Sequence, residues 1–288
     1  MIQPKAYAPF RYMGGKNMLF DYLVPPNEGL PFTFNKYYEP FLGSGAFFFK
    51  LVQNDMINER HRIYLNDIRS ELIEAFLLIK NYPKSISREM VKLWKTHCQK
   101  QFYKIRNILH NQENELNDKQ IGLAFMYLQR YSVMGLGNHT VVDSTRIRGG
   151  RDKHAPNCDN YLAVSKVLNG YNVELSCNSF RKIPITQKSF YYFDPPYWRA
   201  STPYGYKSES KSFNLQDQYD LKKMCDKIDK VGSKFLLSNS NTEMMQYLFK
   251  YYNMWTFKGT STNYHPPGNK PSHKWSADSH PELMVRNY

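Results

Sequence analysis

The chain has 288 residues, a formal net charge of +14, and 41% hydrophobic against 22% charged residues. That length holds one large domain or a core with a smaller insertion, and the apolar fraction excludes a disordered chain. An excess of 39 Lys and Arg over 25 Asp and Glu favours a polyanionic partner, whereas the widely spaced Cys98, Cys158, Cys177 and Cys225 indicate neither a zinc site nor a disulfide framework.

The opening Met1-Ile2-Gln3-Pro4-Lys5 has no apolar h-region, and no run of about 18 apolar residues follows, so a soluble, intracellular, unsecreted protein without membrane contact is expected. Tyr12, Gly14, Gly15 and Lys16 combine an aromatic, a glycine pair and a lysine. Glycine admits a ligand close to the backbone and the lysine can reach a carboxylate, although an ordinary turn reads the same.

From Tyr37 to Phe49 the pattern is a short strand, a turn containing Gly43 and Gly45, and an apolar helix. A first strand-to-helix turn of this kind cradles a cofactor, and the lack of a third glycine favours one without a pyrophosphate. Arg62 to Asp67 reads as a second strand ending in an acid. Asp67 either accepts hydrogen bonds from ribose hydroxyls or caps a helix beginning near Ser70, and the residue alone leaves both open.

Residues 70–168 differ in character. Between Lys80 and His110, eight basic residues stand against one acid, Glu89, which is half of the net charge. Arg88, Lys92 and Lys95, then Lys100 and Lys104, recur at helical spacing, so one face can follow a phosphate backbone or simply meet solvent. Gln120 to Val133 predicts an amphipathic helix that breaks at Gly135-Leu136-Gly137-Asn138. A basic loop with Arg146, Arg148, Arg151 and Lys153 follows, and strand character returns at Asn172 to Ser176.

Phe190 to Phe193 reads as a buried strand that stops at Asp194-Pro195-Pro196-Tyr197-Trp198. Two prolines cannot continue a sheet ladder, so the backbone stays extended and the carbonyl oxygens project. The Asp194 carboxylate and the Pro195 carbonyl can accept both hydrogens of an exocyclic amine on a nucleobase, leaving its lone pair to attack an electrophilic methyl. The Tyr197 ring would stack on the base, an interaction worth about 1 to 3 kcal/mol. Beyond it, Ser201 to Lys211 is a polar loop, Leu215 to Lys230 a helix, Lys234 to Ser238 a strand, Glu243 to Tyr251 a helix and Leu283 to Tyr288 a last strand. The alternation predicts an α/β fold with a mostly parallel sheet covered on both faces.

In motif order the chain resembles the Dam-type DNA adenine methyltransferases. The match runs from Tyr12 with Gly14-Gly15-Lys16, through Glu39-Pro40-Phe41 with Gly43 and Gly45, to Asn66-Asp67, Asp194-Pro195-Pro196-Tyr197, Phe213 to Leu221, Leu236 to Asn239 and Glu282 to Tyr288. The resemblance implies a Rossmann-like methyltransferase sheet with helices on both faces, built from residues 1–69 and 169–288, and an inserted, mainly helical target-recognition domain over 70–168. It implies S-adenosylmethionine as cofactor, with Tyr12 and Lys16 at its methionine end, Asp67 at its ribose, and the Glu39 and Asp194 segments beside it. It implies a duplex DNA substrate held through Arg88, Lys92, Lys95, Arg130 and the 133–151 stretch, and a cognate restriction endonuclease as a candidate partner. It leaves the oligomeric state open.

Two departures from the family stand out. Where relatives place an acid before an aromatic against the cofactor's adenine, this chain has Asn178-Ser179-Phe180, so altered cofactor binding is expected. Relatives that modify GATC carry an aromatic wedge and a guanine-reading Arg where this chain has Val133 and, beyond Leu136, Asn138. Asn pairs with adenine more naturally than with guanine, so a target other than GATC is expected. The rival readings are N4-cytosine transfer, RNA adenine transfer, a non-catalytic DNA-binding module and, less compatible with Asp194, protein-glutamine transfer.

Overall fold

In the computed structural model, the described residues are 5–10, 20, 24, 30–111, 116–132, 154–198, 213–257 and 282–288. The chain divides into two compact units, Met1–Lys182 and Ile183–Tyr288.

The first unit carries three parallel strands, β1 (Lys36–Glu39), β2 (Arg62–Asp67) and β3 (Asn172–Cys177), with β2 between the others. Because all three run the same way, Glu39, Asp67 and Cys177 fall at one edge, and the turns that follow them gather there. Helix α1 (Ala46–Gln53) starts at Gly45, whose φ of 71° suits a residue without a side chain. Helix α2 (Ser70–Asn81) packs on β2 and β3, so the first helix of the 70–168 stretch is built onto the strands of this unit.

Pro83 opens α3 (Pro83–Lys95), and the missing N–H of proline is harmless at a helix start. Helix α4 (Gln99–Asn111) and α5 (Asp118–Tyr131) follow. Asn117 and Gln120 cap α5 reciprocally, each side chain accepting the other's backbone N–H at 3.0 Å. Phe102, Tyr127, Leu128 and Tyr131 form a buried cluster joining α4 to α5, with Leu93 and Trp94 of α3 against it. At Gly122 of α5 a side chain is excluded, since an added Cβ would lie 2.7 Å from Leu78 and 2.9 Å from the Glu74 carbonyl carbon of α2. Helix α6 (Cys158–Gly170), absent from the sequence reading, is capped by Asn157 and packs on α2 and α3.

The second unit holds β4 (Ser189–Phe193), β5 (Lys234–Ser240), β6 (Asn253–Phe257) and β7 (Glu282–Arg286) in the order β4-β5-β7-β6. Strand β4 runs parallel to β5, whereas β7 is antiparallel to both β5 and β6. All five β4 residues are buried, as the uninterrupted run Ser-Phe-Tyr-Tyr-Phe requires. Helix α7 (Leu215–Lys230) begins at a reciprocal cap between Asn214 and Asp217, and the short α8 (Glu243–Leu248) begins at Thr242. Seven strands and eight α-helices among the described residues make an α/β protein consistent with a Rossmann-like methyltransferase fold. No described helix is long and apolar enough to cross a membrane.

Candidate active site

In the first unit, the turn after β1 is folded by its own glycines and by β2. Gly43 and Gly45 have φ of 49° and 71°, and at Gly45 a Cβ would press within 3.2 Å of the Phe49 ring. The Gly43 N–H donates to Asp67 Oδ2 at 3.0 Å, and the Arg69 N–H to Asp67 Oδ1 at 3.1 Å. Asp67 therefore joins the glycine turn to the residue before α2 without capping that helix, which has no side-chain cap, while each oxygen keeps a further lone pair. Burial pushes its pKa up, against the lowering pull of these two N–H bonds.

Asn66 organises the same edge. Its amide donates to the carbonyls of Pro40 at 3.0 Å and Asn178 at 2.9 Å, and accepts from the Ser176 hydroxyl at 2.8 Å and the Asn178 N–H at 3.0 Å. Its own carbonyl takes the Leu42 N–H at 2.9 Å. One buried side chain thus ties the turn after β1 to the turn after β3. Glu39 is 2% exposed and receives the Tyr37 hydroxyl at 2.7 Å. Phe180 is buried with its ring 5.4 Å from that of Phe41, and the Ser179 hydroxyl accepts from the Arg181 N–H. Glu39, Pro40, Phe41, Gly43, Gly45, Asp67, Ser179 and Phe180 thus sit on the strand ends and the turns that follow them at one edge. Tyr12, Gly14, Gly15 and Lys16 lie outside the described residues.

In the second unit, β4 ends and Asp194 follows, half-buried, with Pro195 buried, Pro196 exposed and Tyr197 half-buried. The Ser238 hydroxyl donates to Asp194 Oδ1 at 2.7 Å. The Tyr197 hydroxyl donates to Glu282 Oε2 at 3.1 Å, so the far end of the ring is anchored. Burial pushes the Tyr197 phenol pKa well up, and the negative charges of Asp194 and Glu282 add to it, so the hydroxyl remains a donor. Gln218 Nε2 donates to the Pro196 carbonyl at 3.3 Å, and Asn239 Oδ1 accepts the Trp198 N–H at 3.0 Å.

Ser238, Asn239, Gln218 and Glu282 were given no role from sequence. The signal was present for two of them. Gln218 shares a buried helical stripe with Leu221, Cys225 and Ile228, and Asn239 interrupts an apolar strand, so each is a polar residue at a core position.

Arg88, Lys92 and Lys95 are exposed on α3, in line with exposed Lys84. Arg130 is half-buried and its guanidinium donates to the His154 carbonyl, so it also fastens α5 to the segment before α6. Val133, Leu136, Asn138, Arg146, Arg148 and Arg151, and the loop Ser201 to Lys211, lie outside the described residues.

A family model described as D12 class N6 adenine-specific DNA methyltransferase matches residues 12–263. The chain is 26% identical over 287 residues to the Type II methyltransferase M1.LlaDCHI of Lactococcus lactis subsp. cremoris, covering 97% of this chain and 95% of the relative. It is 29% identical over 262 residues to the Type II methyltransferase M.MjaIII of Methanocaldococcus jannaschii, covering 85% and 89%. These matches agree with the resemblance read from the motifs: the chain belongs to the D12 class N6 adenine-specific DNA methyltransferase family.

Proposed function

We propose that the methyl donor is S-adenosylmethionine, that the adenine is flipped out of duplex DNA, and that Asp194, Pro195 and Tyr197 hold it for transfer to N6. The residues of the first unit fit that donor: a positive-φ glycine turn, a buried carboxylate at the end of β2 suited to ribose hydroxyls, and a buried aromatic after β3 suited to adenine. Asp67 would hold the ribose, Phe180 and Ser179 the adenine, and Tyr12, Gly14, Gly15, Lys16 and the Glu39-Pro40-Phe41 turn the methionine end. When bound, S-adenosylmethionine supplies an electrophilic methyl group on a sulfonium.

Asp194 accepts one hydrogen of the N6 amine and the Pro195 carbonyl accepts the other. The carboxylate then stabilises positive charge as it develops on the nitrogen. Pro196 keeps the loop extended and Tyr197 stacks on the ring. The observation that carries this reading is the 2.7 Å hydrogen bond from Ser238, which turns the carboxylate of a strand-end acid into a fixed acceptor.

Residues 70–168 would supply target recognition, with the α3 stripe of Lys84, Arg88, Lys92 and Lys95 on phosphates and Arg130 and residues 133–151 nearer the bases. Val133 and Asn138 support a target other than GATC. The Type II names of the relatives support a pairing with a restriction endonuclease inside the cell.

Purified protein with tritiated S-adenosylmethionine and plasmid DNA from a host lacking adenine methylation tests the reading. Label in N6-methyladenine with the wild type, and none with Asp194→Ala, supports it. Label in N4-methylcytosine, preferential labelling of RNA, or full activity of Asp194→Ala refutes it.

A further inference from the structure

Gln218 and Asn239 are both 0% exposed, and a polar group so placed must spend its hydrogen bonds inside the protein. They spend them on each other, on one loop and on the adjoining Ser240. Asn239 Nδ2 donates to Gln218 Oε1 at 3.0 Å, and Gln218 Nε2 donates to the Pro196 carbonyl at 3.3 Å. Asn239 Oδ1 accepts the Trp198 N–H at 3.0 Å and the Ser240 N–H at 2.8 Å. The orientation of each amide is forced. Turning Asn239 over would set its NH2 group against two N–H donors, and turning Gln218 over would set oxygen against the Pro196 oxygen.

The two loop atoms they hold are not arbitrary. The Pro196 carbonyl belongs to the peptide before Tyr197, and the Trp198 N–H belongs to the peptide after it. Since Pro195 and Pro196 have no N–H, the loop has few other backbone handles. Fixing both flanking peptide planes fixes φ and ψ of Tyr197, and so the direction in which its ring leaves the chain. The Ser240 hydroxyl adds a bond to the Trp198 carbonyl.

Resting on the assignment of Tyr197 as the stacking ring, we propose that Gln218 and Asn239 are positioning residues that set the posture of Tyr197 through the peptides on either side of it. Gln218 reaches in from α7 and Asn239 from the end of β5, so the pair also locks helix to strand at this loop. Neither residue touches the base. They act on the reaction only through the aromatic ring.

A double-mutant cycle tests this. Single-turnover transfer from tritiated S-adenosylmethionine to unmethylated plasmid DNA, with both saturating, is compared for wild type, Gln218→Met, Tyr197→Ala and the double variant. Gln218→Met keeps the side chain's length without its donor and acceptor, and it should slow transfer about 10- to 100-fold at unchanged affinity for the cofactor. In the Tyr197→Ala background the same change should cost little more, because the ring through which it acts is gone.

Wild-type transfer in Gln218→Met, or losses that multiply fully in the double variant, would overturn the proposal. Asn239→Asp covers the case in which Gln218→Met does not fold. It keeps the acceptor for the Trp198 N–H and loses the donor to Gln218, and the same non-additivity with Tyr197→Ala is expected of it. Asp194→Ala runs alongside, since full activity there would remove the reading of the loop itself, whereas an inactive Asp194→Ala with an unaffected Gln218→Met removes only the positioning pair.

Discussion

The side-chain amide of Asn66 makes two hydrogen bonds to the backbone of Asn178, donating to its carbonyl at 2.9 Å and accepting its N–H at 3.0 Å. A third bond, to the Pro40 carbonyl at 3.0 Å, means that one residue at the end of β2 fixes the turns after β1 and β3. Those are the turns assigned to the cofactor. Asn66→Ala leaves several buried polar groups without a partner, and an expected destabilisation of about 1 to 3 kcal/mol follows. Urea unfolding measures that loss. Calorimetric titration of the folded variant with S-adenosylmethionine should show weakened binding, whereas unchanged affinity would separate Asn66 from the cofactor site.

Asp67 gives a pH dependence whose sign follows from burial. Its pKa is raised above the ordinary 3.8, so the folded state holds the proton more tightly than the unfolded chain. The stability contributed by Asp67 is fully present below the unfolded pKa and is lost as pH rises through the folded value. Relative to Asp67→Asn, the wild type should therefore lose stability as pH rises from about 4. A flat difference between the two denaturation series would contradict the assignment of burial as the dominant cause.

Tyr197 carries two separable features, a ring and a hydroxyl. Tyr197→Phe keeps the ring and removes the hydroxyl, with its bond to Glu282 at 3.1 Å and its contact with Ser238, and should slow transfer by less than about tenfold. Tyr197→Ala removes the ring, and a stacking loss of about 1 to 3 kcal/mol corresponds to roughly 5- to 150-fold. Equal losses in the two variants would place the function in the hydroxyl.

Gly122 shows where tight packing excludes a side chain. A methyl group there meets the Glu74 carbonyl carbon at 2.9 Å, and backbone cannot rotate away as a side chain can. Gly122→Ala should destabilise the protein by about 1 to 3 kcal/mol. The transfer rate per folded molecule should stay unchanged.

The basic stripe on α3 makes an electrostatic prediction. Replacing exposed Lys92 by Ala should reduce the salt slope of DNA affinity by about 0.9 if it neutralises one phosphate. Fluorescence anisotropy across a salt series reads this directly. An unchanged slope would mean that this face meets solvent alone.

Much of the architecture was legible because it follows from local pattern. Leu215 to Lys230 is a helix with the bounds expected, its start set by Asn214 and Asp217, and the buried β4 follows from an unbroken apolar run. Helix Cys158–Gly170 was missed although Tyr161, Val164 and Leu168 lie on its buried side. Its two valines weaken helix propensity, and it follows the basic loop closely. Strand Asn253–Phe257 was missed because it is short and takes its pairing from β7, almost thirty residues away. The helix read to Tyr251 stops at Leu248.

The acids of the site were legible as strand-end residues, but their supports were not. Ser238 reaches Asp194 from a neighbouring strand, and Gln218 reaches Pro196 from 22 residues away on a helix. Such partnerships depend on register and packing, which a linear pattern does not encode. What the sequence does offer is a warning sign, a glutamine or asparagine at a position otherwise reserved for leucine or valine. Read that way, Asn66, Gln218 and Asn239 all announce themselves.

The most direct measurement is single-molecule sequencing of DNA from cells expressing the wild type or Asp194→Ala. N6-methyladenine at one short motif, distinct from GATC and present only with the wild type, is the expected result. Equal marks in both samples, or none in either, would contradict Asp194 as the group that holds the reacting amine.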